Sequence, residues 1–385
     1  MTTNTPKGFR AAGVAAGIKE NGNKDVTLVV NDGPLDVAAG VFTTNKVKAA
    51  PVLWSQQVLQ TGRVKAVVLN SGGANACTGP EGFQDTHATA EHVAETLGIG
   101  AIDVAVCSTG LIGARLPMDD LKAGVTAAAA LLADSRDAGV DAATAVMTTD
   151  SVPKHAESVQ DGWALGGFAK GAGMCAPNMA TMLSVVTTDA VLDQAQAQQA
   201  LTAAVSATFN KLDIDGGTST NDTVLLLCSG ASGVTPAAAD FTAALTGLCQ
   251  DLVAQLQADA EGVTKHITIT VRGAATDEDA HAAATLIARD NLCKTAFFGS
   301  DPNWGRVAMA VGNVPFDFDP ALLDITINGV EVCRAGGTGE DRSKADLSGV
   351  DIAVDVHLHA GPGAATVLTT DLSHGYVEEN SAYSS

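Results

Sequence analysis

The chain has 385 residues, 46% of them hydrophobic and 17% charged, which excludes global disorder and gives length enough for two or three domains' worth of buried core. Its 22 Lys and Arg stand against 43 Asp and Glu, a net charge of −21 that argues against a nucleic-acid partner, since phosphate binding calls for a basic patch. Aromatic residues make up 4% while glycines number 40, so the core is aliphatic and alanine-packed, with many tight turns.

In chain order, short β-branched runs alternate with longer alanine-rich stretches. VTLVV at 26–30, VKAVVLN at 64–70, IDVAVC at 102–107, TMLSVVTT at 181–188, VLLLC at 224–228 and HITITV at 266–271 predict strands. AAAALLA at 127–133 predicts plain helix, and Leu201, Val205 and Phe209 form one ridge of a helical segment from about Asp193. This alternation predicts an α/β fold. From about 320 onward, runs such as ITING and DIAVDVHL between Gly and Asp turns predict a more β-rich C-terminal lobe.

Several strands run into small-polar, glycine-rich segments, which is where α/β proteins place their ligands. These are NSGGANACTG at 70–79, STGLIG at 108–113, KGAGMCAPNMATML at 170–183, DGGTSTND at 215–222 and SDPNWGR at 300–306. STGLIG follows a buried strand, so the backbone N–H groups around Thr109 and Gly110 are expected to emerge unpaired, able to hold an oxyanion. A simple turn is the plainer reading of the same residues. In KGAGMCAPNMATML, Lys170 is the one cation of a Gly-rich loop leading into the strand that begins at Thr181.

The commoner signatures are missing. The sequence has no nucleophile elbow, P-loop, dinucleotide fingerprint or zincin motif, and GGFAKGAG at 166–173 lacks the P-loop order. The seven cysteines are scattered without a C-x-x-C pair, so neither a disulfide framework nor a zinc site is expected; Cys175 has only Lys170 nearby to activate it. His357 and His359 are expected on one face of a strand, without a third metal ligand at readable spacing. The N-terminal MTTNTPKGFR lacks the apolar core of a secretion signal and no run of 18 apolar residues occurs, so a cytoplasmic location is expected.

KGAGMCAPNMATML resembles the hallmark of the ornithine acetyltransferase family, the ArgJ proteins of arginine biosynthesis. STGLIG, MTTDS at 147–151, DGGTSTND, EGVTK at 261–265, SDPNWGR and the closing NSAYSS resemble further family segments in the same order, so the likeness spans nearly the whole chain. It implies layered sheets and helices of the ArgJ/DmpA-like type. It also implies that Thr181 is both nucleophile and site of self-cleavage, the Ala180–Thr181 bond breaking to give an α chain of residues 1–180 and a β chain of 181–385, whose C-terminal lobe spans about 290–385. The freed α-amine, with an ordinary pKa of about 7.7–8.0, then serves as the base for its own hydroxyl.

By the same resemblance, Thr109 and Gly110 stabilise the oxyanion, while Thr149, Lys170, Thr181, Glu261, Asn380 and Ser385 contact substrate. The implied reaction is ping-pong transfer of the acetyl group of N2-acetyl-L-ornithine to L-glutamate, with acetyl-CoA as a second donor in some members. No metal, nucleotide or organic cofactor is implied. An α2β2 assembly is. Within MTTDS, Thr149 is preferred to Thr148 without a physical reason. Gly73 and Gly217 depart from the family, which commonly has Asn and Asp there, and this bears on local loop contacts. The alternatives are an N-terminal-threonine amidohydrolase or aminopeptidase, with water as acceptor, and a catalytically silent amino-acid-binding protein.

Overall fold

The run VTLVV folds as the strand Val26–Asn31, buried along its whole length because both its faces are covered. In the computed structural model, which describes residues 2–174 and 182–382, it is the second strand of a four-stranded sheet. The order there is Phe9–Val14, Val26–Asn31, Ala66–Asn70, Val104–Ser108. The last two are parallel, joined through the helix Gly79–Leu97, the crossover that parallel neighbours require. That helix and Met118–Ala130 bury Ala90, Val93, Leu121 and Val125 on one face of the sheet.

The opposite face packs on a second, five-stranded sheet in the order Val37–Phe42, Thr223–Cys228, Leu183–Thr188, Ala164–Lys170, Lys154–Val159. Phe9, Val29, Val67 and Leu69 from the first sheet share one buried cluster with Phe168, Leu183, Val185 and Leu225 from the second. Leu183–Thr188 and Thr223–Cys228 run parallel, and the helix Gln194–Ala207 between them packs on the outer side of this sheet. The layers are therefore helix, sheet, sheet, helix, all within one compact unit, Met1–Asn210 with Thr218–Leu256.

A second unit comprises Lys211–Gly217 and Gln257–Ser384. Its six-stranded mixed sheet includes His266–Ala274, Asp324–Ile327, Asp351–His357 and Gly363–Thr370. In the run HITITV, Ile267, Ile269 and Val271 point into the core and the residues between are half-buried, the period-2 pattern of a sheet with one covered face. The helix Asp277–Arg289 supplies Ala280, Ala283, Ala284 and Ile287 to that core. The division into units falls at other places than the expected chemical cut, which lies inside the first unit.

Several local expectations are revised. GGFAK belongs to the fully buried strand Ala164–Lys170, so Lys170 sits at a strand end and not in a loop. AAAALLA is helical only to Ala130. His357 ends its strand, but His359 lies beyond it with φ 52°, so the pair does not share a strand face. Their ring centroids lie 3.8 Å apart with the planes tilted by 49°, and His359 Nε2 meets Asp324 Oδ2 at 2.7 Å. Among the described residues no group of three or more His, Cys, Asp or Glu could hold a metal ion, and no helix is long and apolar enough to cross a membrane.

The helix predicted from about Asp193 begins where a capping box forms. Asp193 Oδ1 accepts from Gln196 N at 2.8 Å, and Gln196 Oε1 accepts from Asp193 N at 3.1 Å. Asp193→Ala removes the cap and is expected to lower unfolding free energy by about 1 kcal/mol, read from the urea midpoint, whereas Asp193→Asn retains most of it.

Candidate active site

Strand register brings the chemistry-bearing segments to one end of the five-stranded sheet. Lys170 is paired across the sheet with Leu183, and Leu183 in turn with Thr223. Met182 and Asp222, the residues just before these two, are tied by a 2.9 Å bond from Met182 N to Asp222 Oδ1. The end of the four-stranded sheet arrives from the other layer, through Ser108 and Thr109.

Side-chain amides hold these loop ends in place. Asn221 Nδ2 donates to Ala74 O at 2.6 Å and to Ser108 O at 2.8 Å, binding DGGTSTND to both NSGGANACTG and STGLIG. Asn70 Nδ2 donates to Gly73 O at 3.0 Å, and Asn70 Oδ1 accepts Ser108 Oγ at 2.6 Å. Gly110 has φ 124°, and a Cβ there would lie 2.6 Å from the backbone of Gly72 and Gly73. Only glycine lets these two loops touch. A Cβ at Gly73 would instead meet only the Leu116 side-chain end, at 2.7 Å.

At the centre is Lys170, 1% exposed. Its ammonium donates to Thr109 Oγ1 at 3.2 Å and to Thr148 Oγ1 at 2.8 Å. A buried cation requires compensation, and Asp150 supplies it. Asp150 Oδ1 accepts from Lys154 Nζ at 2.6 Å and Gly171 N at 2.7 Å, while Oδ2 accepts from Thr148 N at 3.0 Å. Burial pushes the Asp150 carboxyl up, but the ammonium groups of Lys170 and Lys154 and the Gly171 amide outweigh it and hold the carboxyl at about 2. Lys19, half-buried, reaches the same neighbourhood and donates to Lys24 O and Met147 O; burial lowers its pKa and Lys170 lowers it further.

One expectation about the oxyanion site changes. The Thr109 amide is not free, because it donates to Asn70 O at 2.9 Å. What Thr109 presents is its hydroxyl, oriented by Lys170, beside a Gly110 N–H that makes no hydrogen bond among the described residues. Of the two adjacent threonines, Thr148 is the one joined to Lys170, and Thr149 is half-buried with no side-chain hydrogen bond among the described residues. Ala180, Thr181, Ser385 and Cys175 lie outside the described residues.

In the second unit, Glu261 and Asn380 come together, Asn380 Nδ2 donating to Glu261 Oε2 at 2.8 Å. The tail that would otherwise fray is a helix, His374–Ala382. It is docked through Ser373 Oγ on Gly262 O, and Gly262, with φ 59°, lies where a Cβ would strike the Tyr376 amide at 2.0 Å.

Sequence reasoning missed Asp150, Lys154, Asn221 and Asp222. Three of these stand inside the quoted segments MTTDS and DGGTSTND, and their value as signals lay in being polar residues beside buried strands. Lys154 lies four residues beyond Asp150 and outside the quoted segments, so its pairing with that carboxylate was open to a local reading that was not made.

Layered sheets whose loop ends gather threonine hydroxyls around a buried ammonium define an α/β enzyme working through side-chain oxygen and nitrogen chemistry. The chain belongs to the ArgJ family, whose profile matches residues 10–385. The arginine biosynthesis bifunctional protein ArgJ of Mycolicibacterium paratuberculosis is 62% identical over 386 residues, covering 99% of this chain and 96% of that protein. The protein of the same name from Thermobifida fusca is 58% identical and is covered over 100% of both. A solved chain of ornithine acetyltransferase from Mycobacterium tuberculosis, complexed with ornithine, is 60% identical, with 47% of this chain and 96% of that one covered at a TM-score of 0.46.

Asp150→Asn leaves two buried ammonium groups without their carboxylate and is expected to cost about 3–5 kcal/mol at neutral pH. A carboxyl whose pKa is lowered on folding stabilises fully above its unfolded value of about 3.9 and loses that contribution as pH falls through its folded value. Urea unfolding from pH 6 downward should therefore show the gap between wild type and variant narrowing as the pH approaches about 2.

Proposed function

We propose that this enzyme transfers the acetyl group of N2-acetyl-L-ornithine to L-glutamate through an acetyl-Thr181 intermediate, releasing L-ornithine. The observation that carries the reading is the buried Lys170 ammonium set between the hydroxyls of Thr109 and Thr148, directly across the sheet from Leu183, two residues beyond Thr181. Membership of the ArgJ family over residues 10–385 supports it. Relatives at 58–62% identity are named bifunctional proteins of arginine biosynthesis, which supports acetyl-CoA as a second donor for glutamate.

In this reading the precursor first cuts itself. Thr181 Oγ attacks the Ala180 carbonyl, the Oγ proton passes to the departing Thr181 nitrogen, and water hydrolyses the resulting ester. The freed amine then takes the proton from its own hydroxyl as that oxygen attacks the acetyl carbonyl of the donor. Charge building on the carbonyl oxygen meets the Thr109 hydroxyl and the Gly110 N–H, with the Lys170 ammonium behind Thr109 stabilising it further. Ornithine leaves with the proton, and the glutamate amine takes the acetyl group by the same steps in reverse.

Donor and acceptor share an α-amino-acid frame, so one set of contacts serves both half-reactions. Lys170, Thr149, Glu261, Asn380 and Ser385 are the proposed contacts, with Thr181 itself at the reacting carbon. Thr181 supplies nucleophile and base together, so the chemistry calls for no metal or organic cofactor. The α and β chains of one precursor are proposed to assemble as α2β2 in the cytoplasm, alongside their small-molecule substrates.

Intact mass and N-terminal sequencing of the purified protein should give two fragments, one beginning Thr-Met-Leu-Ser; a single uncut chain would count against self-cleavage. Thr181→Ala should abolish both cutting and acetyl transfer, a loss of several orders of magnitude in kcat. N-acetylglutamate should form from acetylornithine only when glutamate is present, and release of free acetate without it would favour the amidohydrolase.

A further inference from the structure

Glutamate makes a demand that the proposed contacts do not meet. It carries two carboxylates, whereas Lys170 is the only cation among those contacts. Donor and acceptor share an α-amino-acid frame but end in opposite charges, a δ-ammonium on acetylornithine and a γ-carboxylate on glutamate. Glu261, the only anion of the set, suits the first. Nothing in the set suits the second.

A second cation stands beside the first. Lys19 lies between the strands Phe9–Val14 and Val26–Asn31, in a segment fixed from within. The fully buried Asp25 carboxylate accepts from the amides of Ala16, Gly17, Ile18 and Lys19 at 2.6, 3.1, 2.7 and 3.0 Å. This segment packs on the oxyanion loops: a Cβ at Gly72 would lie 2.9 Å from Ile18 Cγ2, and Gly72 is also where Gly110 makes its close approach. The Lys19 ammonium donates to Met147 O at 2.7 Å, and the next residue, Thr148, accepts from Lys170 Nζ at 2.8 Å. Those two bonds and the short run of covalent bonds between them keep the two ammonium groups within about 11 Å of each other.

Lys19 keeps capacity for a ligand. It is half-buried, two of its three N–H donors serve the carbonyls of Lys24 and Met147, and the third has no partner among the described residues. Burial lowers its pKa; among the charges around it, Asp25 raises it, Lys170 lowers it and Asp150 raises it. Both carboxylates accept from other donors, so neither is hydrogen-bonded to Lys19. An anion reaching both lysines relieves their repulsion. Extended glutamate spans about 5 Å between its carboxyl carbons, and a charge-assisted hydrogen bond of about 2.8 Å at either end brings both ammonium groups within its reach.

We propose that Lys19 determines specificity for the acceptor, receiving the γ-carboxylate of glutamate while Lys170 faces the α-carboxylate. This rests on the acetyl-transfer reading. The same charge repels the δ-ammonium of ornithine, so one residue favours both entry of the acceptor and departure of the product it replaces.

In ping-pong kinetics the kcat/KM of each substrate reports its own half-reaction, which separates the two roles. Lys19→Gln should lower kcat/KM for glutamate about tenfold or more and leave that for acetylornithine little changed; Lys19→Arg, which keeps the charge, should restore most of the loss. Wild type should also use L-glutamate γ-methyl ester far less well than glutamate, and Lys19→Gln should lose that preference. Equal falls in both half-reactions would show that Lys19 only holds its loop, and would overturn the assignment, as would no change in either. Should Lys19→Gln not fold, the wild-type comparison decides, equal use of glutamate and its ester overturning the proposal. If wild type forms no N-acetylglutamate, the acetyl-transfer reading falls and takes this assignment with it, whereas normal transfer without the split sinks the assignment alone.

Discussion

The buried carboxylate of Asp150 is the constraint on which the site depends. It accepts from Lys154, from the Gly171 amide and from the Thr148 amide, so one side chain fixes a strand end, the turn after it and the threonine loop. An ammonium as inaccessible as that of Lys170 would be untenable without it. With it, Lys170 becomes a rigid donor to two hydroxyls. The arrangement stabilises the fold little compared with what a well-packed apolar trio would give. What it supplies is a fixed positive charge inside a protein whose overall charge is −21.

Around that charge the site is held by amides and close backbone contact more than by apolar packing. Asn221 and Asn70 bind three loops together, and the approach of Gly110 to Gly72 and Gly73 leaves no room for a side chain. Such crosslinks restrict loop ends without filling the space between them, which is what a site for a small polar ligand requires.

The regular elements were legible because their physics is local. VTLVV and VLLLC are continuous apolar runs, and both became strands buried on every residue. HITITV alternates, and its sheet has one covered face. The strand Ala164–Lys170 was hidden because its two glycines and two alanines imitate a loop; it is a strand because neighbours on either side pair with it. The family motifs pointed to Thr109 and Lys170, yet not to how Thr109 acts, since whether its amide is free depends on Asn70, thirty-nine positions earlier, reaching across a parallel ladder. Lys154 and Asp150 were missed for another reason: they stand four positions apart, but each alone looks like ordinary surface charge, and it is their burial in the fold that makes them an ion pair.

The five-stranded sheet carries one more consequence. Its order interleaves segments from either side of the Ala180–Thr181 bond: Val37–Phe42 from before it, then Thr223–Cys228 and Leu183–Thr188 from after it, then Ala164–Lys170 and Lys154–Val159 from before it again. Opening that bond would leave every ladder intact, since none crosses the sheet through it. The two resulting chains would be interlocked, the later pair of strands gripped on both edges by the earlier ones. They could part only by dismantling the sheet and the apolar layer beneath it, so a nicked molecule would neither trade halves with another copy nor be reassembled from separately folded pieces, and each would keep for life the partner with which it was synthesised.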